Sequence, residues 1–217
     1  MVKFFQLLVE RQSEVLWALQ EHLWLVFVPV ALATLVSVPL GILATRFRRL
    51  EFVVMGVANV LQTVPSLALL ALMIPLGFGI GNKPAMIALF LYALLPILRN
   101  TYLGIKSVDD GTKEAATGMG MTYLQRLYMV ELPIALSVII GGIRTATVII
   151  IGTATLAALI GGGGLGSFIV SGLGMVRDEM ILLGAIPAAL LAILVDFLFG
   201  KLEHVMTPRG LRLAREE

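Results

Sequence analysis

Cysteine is absent from the 217 residues, which excludes disulfides, thiolate metal sites and cysteine nucleophiles. Histidine occurs only twice, as His22 and His204, both beside apolar segments, so no nucleophile has a matched histidine base. Charge is scarce: 14% of residues are charged and 59% are hydrophobic, where an ordinary soluble domain carries roughly 25% charged residues. A globular surface must be covered with solvated groups, so this deficit points to lipid as the solvent. The net charge of +2 sits in short clusters between apolar runs and not on one face. Nucleic acid is therefore not an expected partner.

What is present is a series of long apolar runs. A hydrocarbon core of about 30 Å needs about 20 apolar residues in a helix. Five stretches meet or approach that length, at roughly 23–45, 52–76, 84–98 (short, extended into its flanks), 133–160 and 179–200. The expected fold class is thus all-α and integral to a membrane, with about five transmembrane helices. The domain layout follows as an amino-terminal amphipathic segment at 1–22, a transmembrane domain at 23–200 and a tail at 201–217. Charges interleaved with Phe4, Phe5, Leu7, Leu8 and Trp17 rule against a cleaved signal peptide and favour a helix lying on the membrane surface.

Lysine and arginine set the orientation. With the amino terminus outside, the inner segments hold Arg46, Arg48, Arg49, Arg99, Lys106, Lys113, Arg126, Lys201, Arg209, Arg212 and Arg215. The outer segments hold Lys3, Arg11, Lys83 and Arg177, and Arg144 lies within a helix. The expected carboxyl terminus is cytoplasmic, as an odd number of crossings requires.

The longest inner segment, about 104–133, contains Glu114-Ala115-Ala116, then Gly120, then Val130, then Leu132-Pro133 at the start of the fourth span. This resembles the EAA loop of ABC-importer permeases: EAA, three residues, glycine, nine residues, isoleucine, one residue, Leu-Pro. Only Val130 departs, and valine keeps the β-branching of isoleucine. A short helix seated in another protein's cleft needs small side chains for close approach and one charge for orientation. Ala115, Ala116 and Gly120 supply the first and Glu114 the second, with a favourable helix-dipole contribution of about 0.3–1 kcal/mol if Glu114 stands near an exposed helix start. The bland alternative makes Glu114 a solvated residue and Gly120 a helix terminator.

Three further blocks, NVLQTVPSL at 59–67, ALFLYALLPILRNTY at 88–102 and AALIGGGGLG at 157–166, resemble the osmoprotectant permeases of the glycine betaine/carnitine/choline type. The resemblance implies the type I ABC-importer fold, methionine-permease-like, with a cytoplasmic coupling helix, in the bacterial inner membrane. It also implies the partners: a cytoplasmic ATPase dimer that binds ATP and magnesium, a second permease subunit, identical or homologous, and an extracytoplasmic substrate-binding protein. No cofactor is expected in this chain, and none of its own residues is expected to hydrolyse ATP: the Gly161 to Gly164 run lacks the Gly-Lys-Ser/Thr of a phosphate loop.

Independent of any resemblance, Pro65 interrupts the second span and frees a carbonyl that lipid cannot satisfy, so that backbone must face protein or water. Asn59, Gln62, Thr63 and Ser66 lie near one side at helical spacing. They are either a polar wall of a translocation path or interhelical hydrogen-bonding groups. Arg144 and Asp196 are the charges deepest in apolar sequence and are expected to pair, with each other or with a neighbouring subunit. Trp24 and Tyr102 suit anchoring at the membrane interface.

Two other solute-handling classes remain open on residues alone: an ABC permease for another small polar solute such as an amino acid, and an ion-gradient-driven secondary transporter. The latter calls for paired acids at mid-membrane depth, where this sequence offers only Asp196, near a helix end. A membrane enzyme would need a cluster of titratable residues at one depth, which is not found.

Overall fold

The computed structural model describes residues 2–207, all in helices and short connections, with no strand among them. Ten α-helices follow one another: α1 Val2–Glu10, α2 Gln12–Arg46, α3 Arg48–Thr63, α4 Ser66–Leu72, α5 Asn82–Lys106, α6 Asp110–Gly118, α7 Tyr123–Arg126, α8 Leu132–Ala154, α9 Gly166–Met175 and α10 Asp178–Met206. Four helical stretches, Gln12–Arg46, Asn82–Lys106, Tyr123–Ile160 and Asp178–Met206, are long and apolar enough to span a bilayer, and the bent pair Arg48–Thr63 and Ser66–Phe78 makes a fifth.

The core is the packing of α5 between α2 and α8. Its fully buried side chains include Leu25, Val26 and Ala33 from α2, Ala85, Leu89, Ala93 and Ile97 from α5, and Ala146, Ile150 and Ile151 from α8. The abundance of alanine lets the backbones approach closely, which is how helices associate where lipid is as apolar as leucine. Glycine extends this at Gly142 of α8. A Cβ there would stand 2.5 Å from the Asn100 Cβ and 3.0 Å from the Pro96 carbonyl oxygen of α5. Ser37 of α2 adds an interhelical bond, donating to the Leu94 carbonyl at 3.1 Å.

The structure corrects or sharpens four of these expectations. The amphipathic segment at 1–22 is not one surface helix. Only α1 is separate, and its Phe4 and Leu7 are buried in a cluster with Phe168 of α9 and Met180 and Leu183 of α10. Residues 12–22 belong instead to α2, whose 35 residues run about 52 Å at 1.5 Å each. Glu14, Glu21 and His22 interrupt the hydropathy, but nothing among them breaks a helix.

The second span, placed at 52–76 with Pro65 inside it, bends by 97° between α3 and α4. Proline restricts the residue before it to extended backbone, and Val64 accordingly has φ −72° and ψ 124°. The third stretch extends into both flanks as expected, with Lys83 at one end and Arg99 and Lys106 at the other tolerated inside the 25-residue α5. The tail assigned to 201–217 is helical through Met206, and 208–217, with Arg209, Arg212 and Arg215, lies outside the described residues.

Candidate functional site

The connection between α5 and α8 folds as a compact unit. Asp109 caps α6, its carboxylate accepting the Thr112 backbone N–H at 2.9 Å. Of the motif residues on α6, Glu114 and Ala115 are exposed, whereas Ala116 is 2% exposed. The small size of Ala116 therefore serves packing within the chain. Glu114 stands in the middle of α6, not its first turn, and the helix-dipole role falls to Asp109 and Asp110.

The helix ends in a left-handed residue, Gly120 at φ +82°. Its neighbours close the turn, Met119 N–H donating to Ala115 O at 3.0 Å and Met121 N–H to Ala116 O at 3.2 Å. A Cβ on Gly120 would meet nothing within 4 Å, so inside this chain glycine is required by backbone conformation and not by crowding.

Thr122 and Gln125 then form a reciprocal capping box that starts α7. Arg126 joins the pieces: its Nε donates to Glu131 Oε1 at 2.7 Å and its Nη1 to Thr117 Oγ1 at 3.0 Å. Glu131 is 4% exposed. Val130 and Leu132 are half-buried at the foot of α8, and Pro133 is its second residue, directly after the π-helical turn Leu127–Glu131. This strut from α6 to α8 was not legible in the motif, because Glu131 occupies its one unspecified position between Val130 and Leu132.

At the break in the second span, Asn59, Gln62, Thr63 and Pro65 are exposed and Ser66 half-buried. Thr63 Oγ1 turns back to the Val60 carbonyl at 2.8 Å. Among the described residues Asn59, Gln62 and Thr63 make no side-chain hydrogen bond to another helix, whereas the Ser66 hydroxyl interacts with Tyr92 of α5. The break is held by Tyr92 of α5, whose hydroxyl donates to the freed Val64 carbonyl. Tyr102 likewise serves the fold, donating to Glu51 Oε1 of α3 at 2.5 Å.

Arg144 and Asp196 do meet, in a two-pronged bond with Nε to Oδ1 at 2.6 Å and Nη2 to Oδ2 at 2.7 Å. Glu203 approaches Arg144 Nη1 at 3.6 Å. The group ties α8 to α10, and Gly200 leaves room for the guanidinium. Among the described residues no three His, Asp or Glu converge to hold a metal ion.

At the opposite end of the bundle lies a constellation that sequence reasoning missed. Glu21 Oε1 accepts from Asn82 Nδ2 at 2.6 Å, Asn82 Oδ1 accepts from the Gly163 N–H at 2.8 Å, and Glu21 Oε2 accepts from the Gly164 N–H at 2.8 Å. Gly81 N–H also donates to Ile160 O at 2.8 Å. The glycine run is thereby clasped to the start of α5 and to α2. The partners are separated by 61 to 143 residues, so no local pattern announces them.

The chain matches, over residues 37–208, the family described as binding-protein-dependent transport system inner membrane components. It is 50% identical to the carnitine transport permease protein OpuCB of Listeria monocytogenes, across 99% of this chain and 97% of that one. It is 45% identical to the choline transport system permease protein OpuBB of Bacillus subtilis (strain 168), across 97% of each. Among solved structures, the inward-facing MetNI methionine ABC transporter has a chain that superposes with a TM-score of 0.79 at 22% identity, covering 89% of this chain and 96% of that one. The fold is that of a type I ABC-importer permease.

Proposed function

The chain belongs to the family of binding-protein-dependent transport system inner membrane components, and from that premise we propose that it forms the path by which an ATP-driven importer carries glycine betaine, carnitine or choline across the bacterial cytoplasmic membrane. The observation that carries the substrate class is likeness over almost the full length to permeases named for carnitine and choline, at 50% and 45% identity.

The amino terminus lies outside and the carboxyl terminus in the cytoplasm, so the coupling unit around α6 faces the cytoplasmic ATPase dimer. Closure of that dimer on ATP pushes on the exposed Glu114 and Ala115. The push passes through the Arg126 strut from Thr117 to Glu131 and into α8. A second permease, identical or homologous, completes the path, with Asn59, Gln62, Thr63, Pro65 and Ser66 on its uncovered wall. The binding protein delivers substrate at the Glu21 end. ATP and magnesium stay on the partner.

Two results test this. A reporter active only outside the cytoplasm should work when fused near Lys83 or Arg177 and fail near Arg49 or Lys113; activity at Lys113 would overturn both the orientation and the coupling role. Deleting the gene should abolish uptake of at least one of the three quaternary amines at high osmolarity. Unchanged uptake of all three, in a strain without a redundant system, removes the substrate assignment.

A further inference from the structure

At the end of the bundle that carries α6, the last turns of α2 and α5, the helices α6 and α7 and the turn before α8 line an open cavity of about 520 Å3. Its walls bring together four cations, Arg46, Lys106, Lys113 and Arg126, against two carboxylates, Asp110 and Glu131. The carboxylates are already engaged: Glu131 Oε1 accepts from Arg126 Nε at 2.7 Å, and Asp110 Oδ1 lies 3.0 Å from Lys113 Nζ. Asp110 is itself nine-tenths exposed and so holds its lysine from the solvent side.

Arg46 and Lys106 have no carboxylate within 4 Å among the described residues. They rest instead on aromatic faces, the Arg46 guanidinium 4.4 Å from the Tyr123 ring centre and the Lys106 ammonium 5.6 Å from that of Tyr102. Each stands in the last turn of its helix, where the helix dipole favours a cation. That accounts for these two, but not for Lys113 and Arg126 converging on them from separate helices. The cavity keeps an excess of two positive charges that no carboxylate among the described residues pairs within 4 Å.

We propose that this cavity binds a phosphate-class anion, and that its occupant in the bilayer is the headgroup of an anionic phospholipid. Guanidinium and ammonium groups closing on one space from several directions are the arrangement that suits phosphate oxygens. Depth selects the lipid over a soluble anion. Arg46 and Lys106 terminate the apolar helices α2 and α5 and so stand at headgroup level, while Leu43 and Phe47 beside Arg46 remain exposed for an acyl chain to cover. Basic pockets between membrane helices on the cytoplasmic side are recurrent headgroup sites. Because α2 and α5 form one wall and α6 and α7 the other, a bound headgroup fastens the coupling unit to the spanning helices. The cytoplasmic placement rests on the orientation proposed above; the cavity and its charges do not.

Native mass spectrometry of the full chain, alone and assembled with its ATPase, tests the proposal with four probes: phosphatidylglycerol, phosphatidylcholine, glycerol 3-phosphate and inorganic phosphate. Phosphatidylglycerol should bind in preference to phosphatidylcholine, and the double variant Arg46→Gln/Lys106→Gln should weaken it at least about tenfold, since each cation near an anionic surface contributes comparably. Arg49→Gln, at the same end but outside the cavity, should bind as wild type. If the double variant fails to fold, Lys106→Gln alone carries the test with a smaller loss in the same direction.

Equal binding of the two lipids, or undiminished binding by the variants, overturns the site. Glycerol 3-phosphate or inorganic phosphate binding as tightly as the lipid overturns the lipid assignment, and displacement of the lipid whenever the ATPase is bound shows that the partner fills the cavity. The readout is binding and not import, so a failure here leaves the permease function standing, and a failure of import leaves this site standing.

Discussion

Ala115→Trp and Glu114→Arg are each expected to abolish import while the permease inserts, folds and accumulates as wild type. Both side chains are exposed in this chain, so neither change disturbs internal packing, and surface substitutions of that kind shift stability by about 0.5 kcal/mol or less. If the face they occupy seats in the ATPase, an indole or a reversed charge at its centre removes a contact of about 2 kcal/mol or more. That corresponds to a loss of about thirtyfold in affinity. The measurements are import and ATPase co-purification, both normalised to permease in the membrane. Wild-type values for both variants would mean that α6 is not the coupling element.

The contrast with the two other motif residues is instructive. Ala116→Asp would bury a charge with no partner at a position only 2% exposed and damage the loop itself. Gly120→Leu would strain a left-handed backbone, at roughly 1–2 kcal/mol. Either can stop transport by deforming the chain, so neither separates a docking surface from a folded loop. Glu114 and Ala115 do.

The second large effect concerns the α5–α8 crossing. Gly142→Leu should sharply reduce the yield of folded, monodisperse protein and lower its melting temperature in detergent. The new side chain meets Asn100 and the Pro96 carbonyl oxygen at 2.5 and 3.0 Å. Backbone cannot rotate away, so the cost belongs at or beyond the upper end of the ~1–3 kcal/mol typical of overpacking. Gly152→Leu, ten residues along the same helix, is the matched comparison: a Cβ there meets nothing within 4 Å of this chain, and the variant should melt as wild type does. Equal melting of the two would contradict the packing described for α5 and α8.

Features that depend on local chemistry were readable from the residues. Apolar length located the spanning helices, and Pro65 marked the one that could not run straight. Arg144 and Asp196 had to find a partner in lipid and found each other. What escaped depended on long-range contact or on helix continuity. Glu14, Glu21 and His22 looked like the end of a surface segment because hydropathy records solvent preference, whereas helices end at breakers and α2 has none there.

Glu21 and Asn82 are ordinary polar residues until the glycine run is brought against them. Tyr92 acts through its hydroxyl on the Val64 carbonyl, which the extended backbone at the proline break leaves without a helical partner. In the connection between α5 and α8 the spacing was visible but the division of labour was not. Ala115 faces out, Ala116 faces in, and the buried Glu131 braces the whole from a position the motif leaves blank.

The central claim, that this chain is a permease driven by ATP on a partner, is met most directly by reconstitution. The purified permease, its ATPase and its binding protein are placed in proteoliposomes, and uptake of labelled glycine betaine, carnitine and choline is followed with and without ATP at the ATPase face. The account predicts accumulation of at least one of the three that requires both ATP and the binding protein and is unaffected by collapsing ion gradients. Accumulation that proceeds without ATP and vanishes with the ion gradient would contradict it.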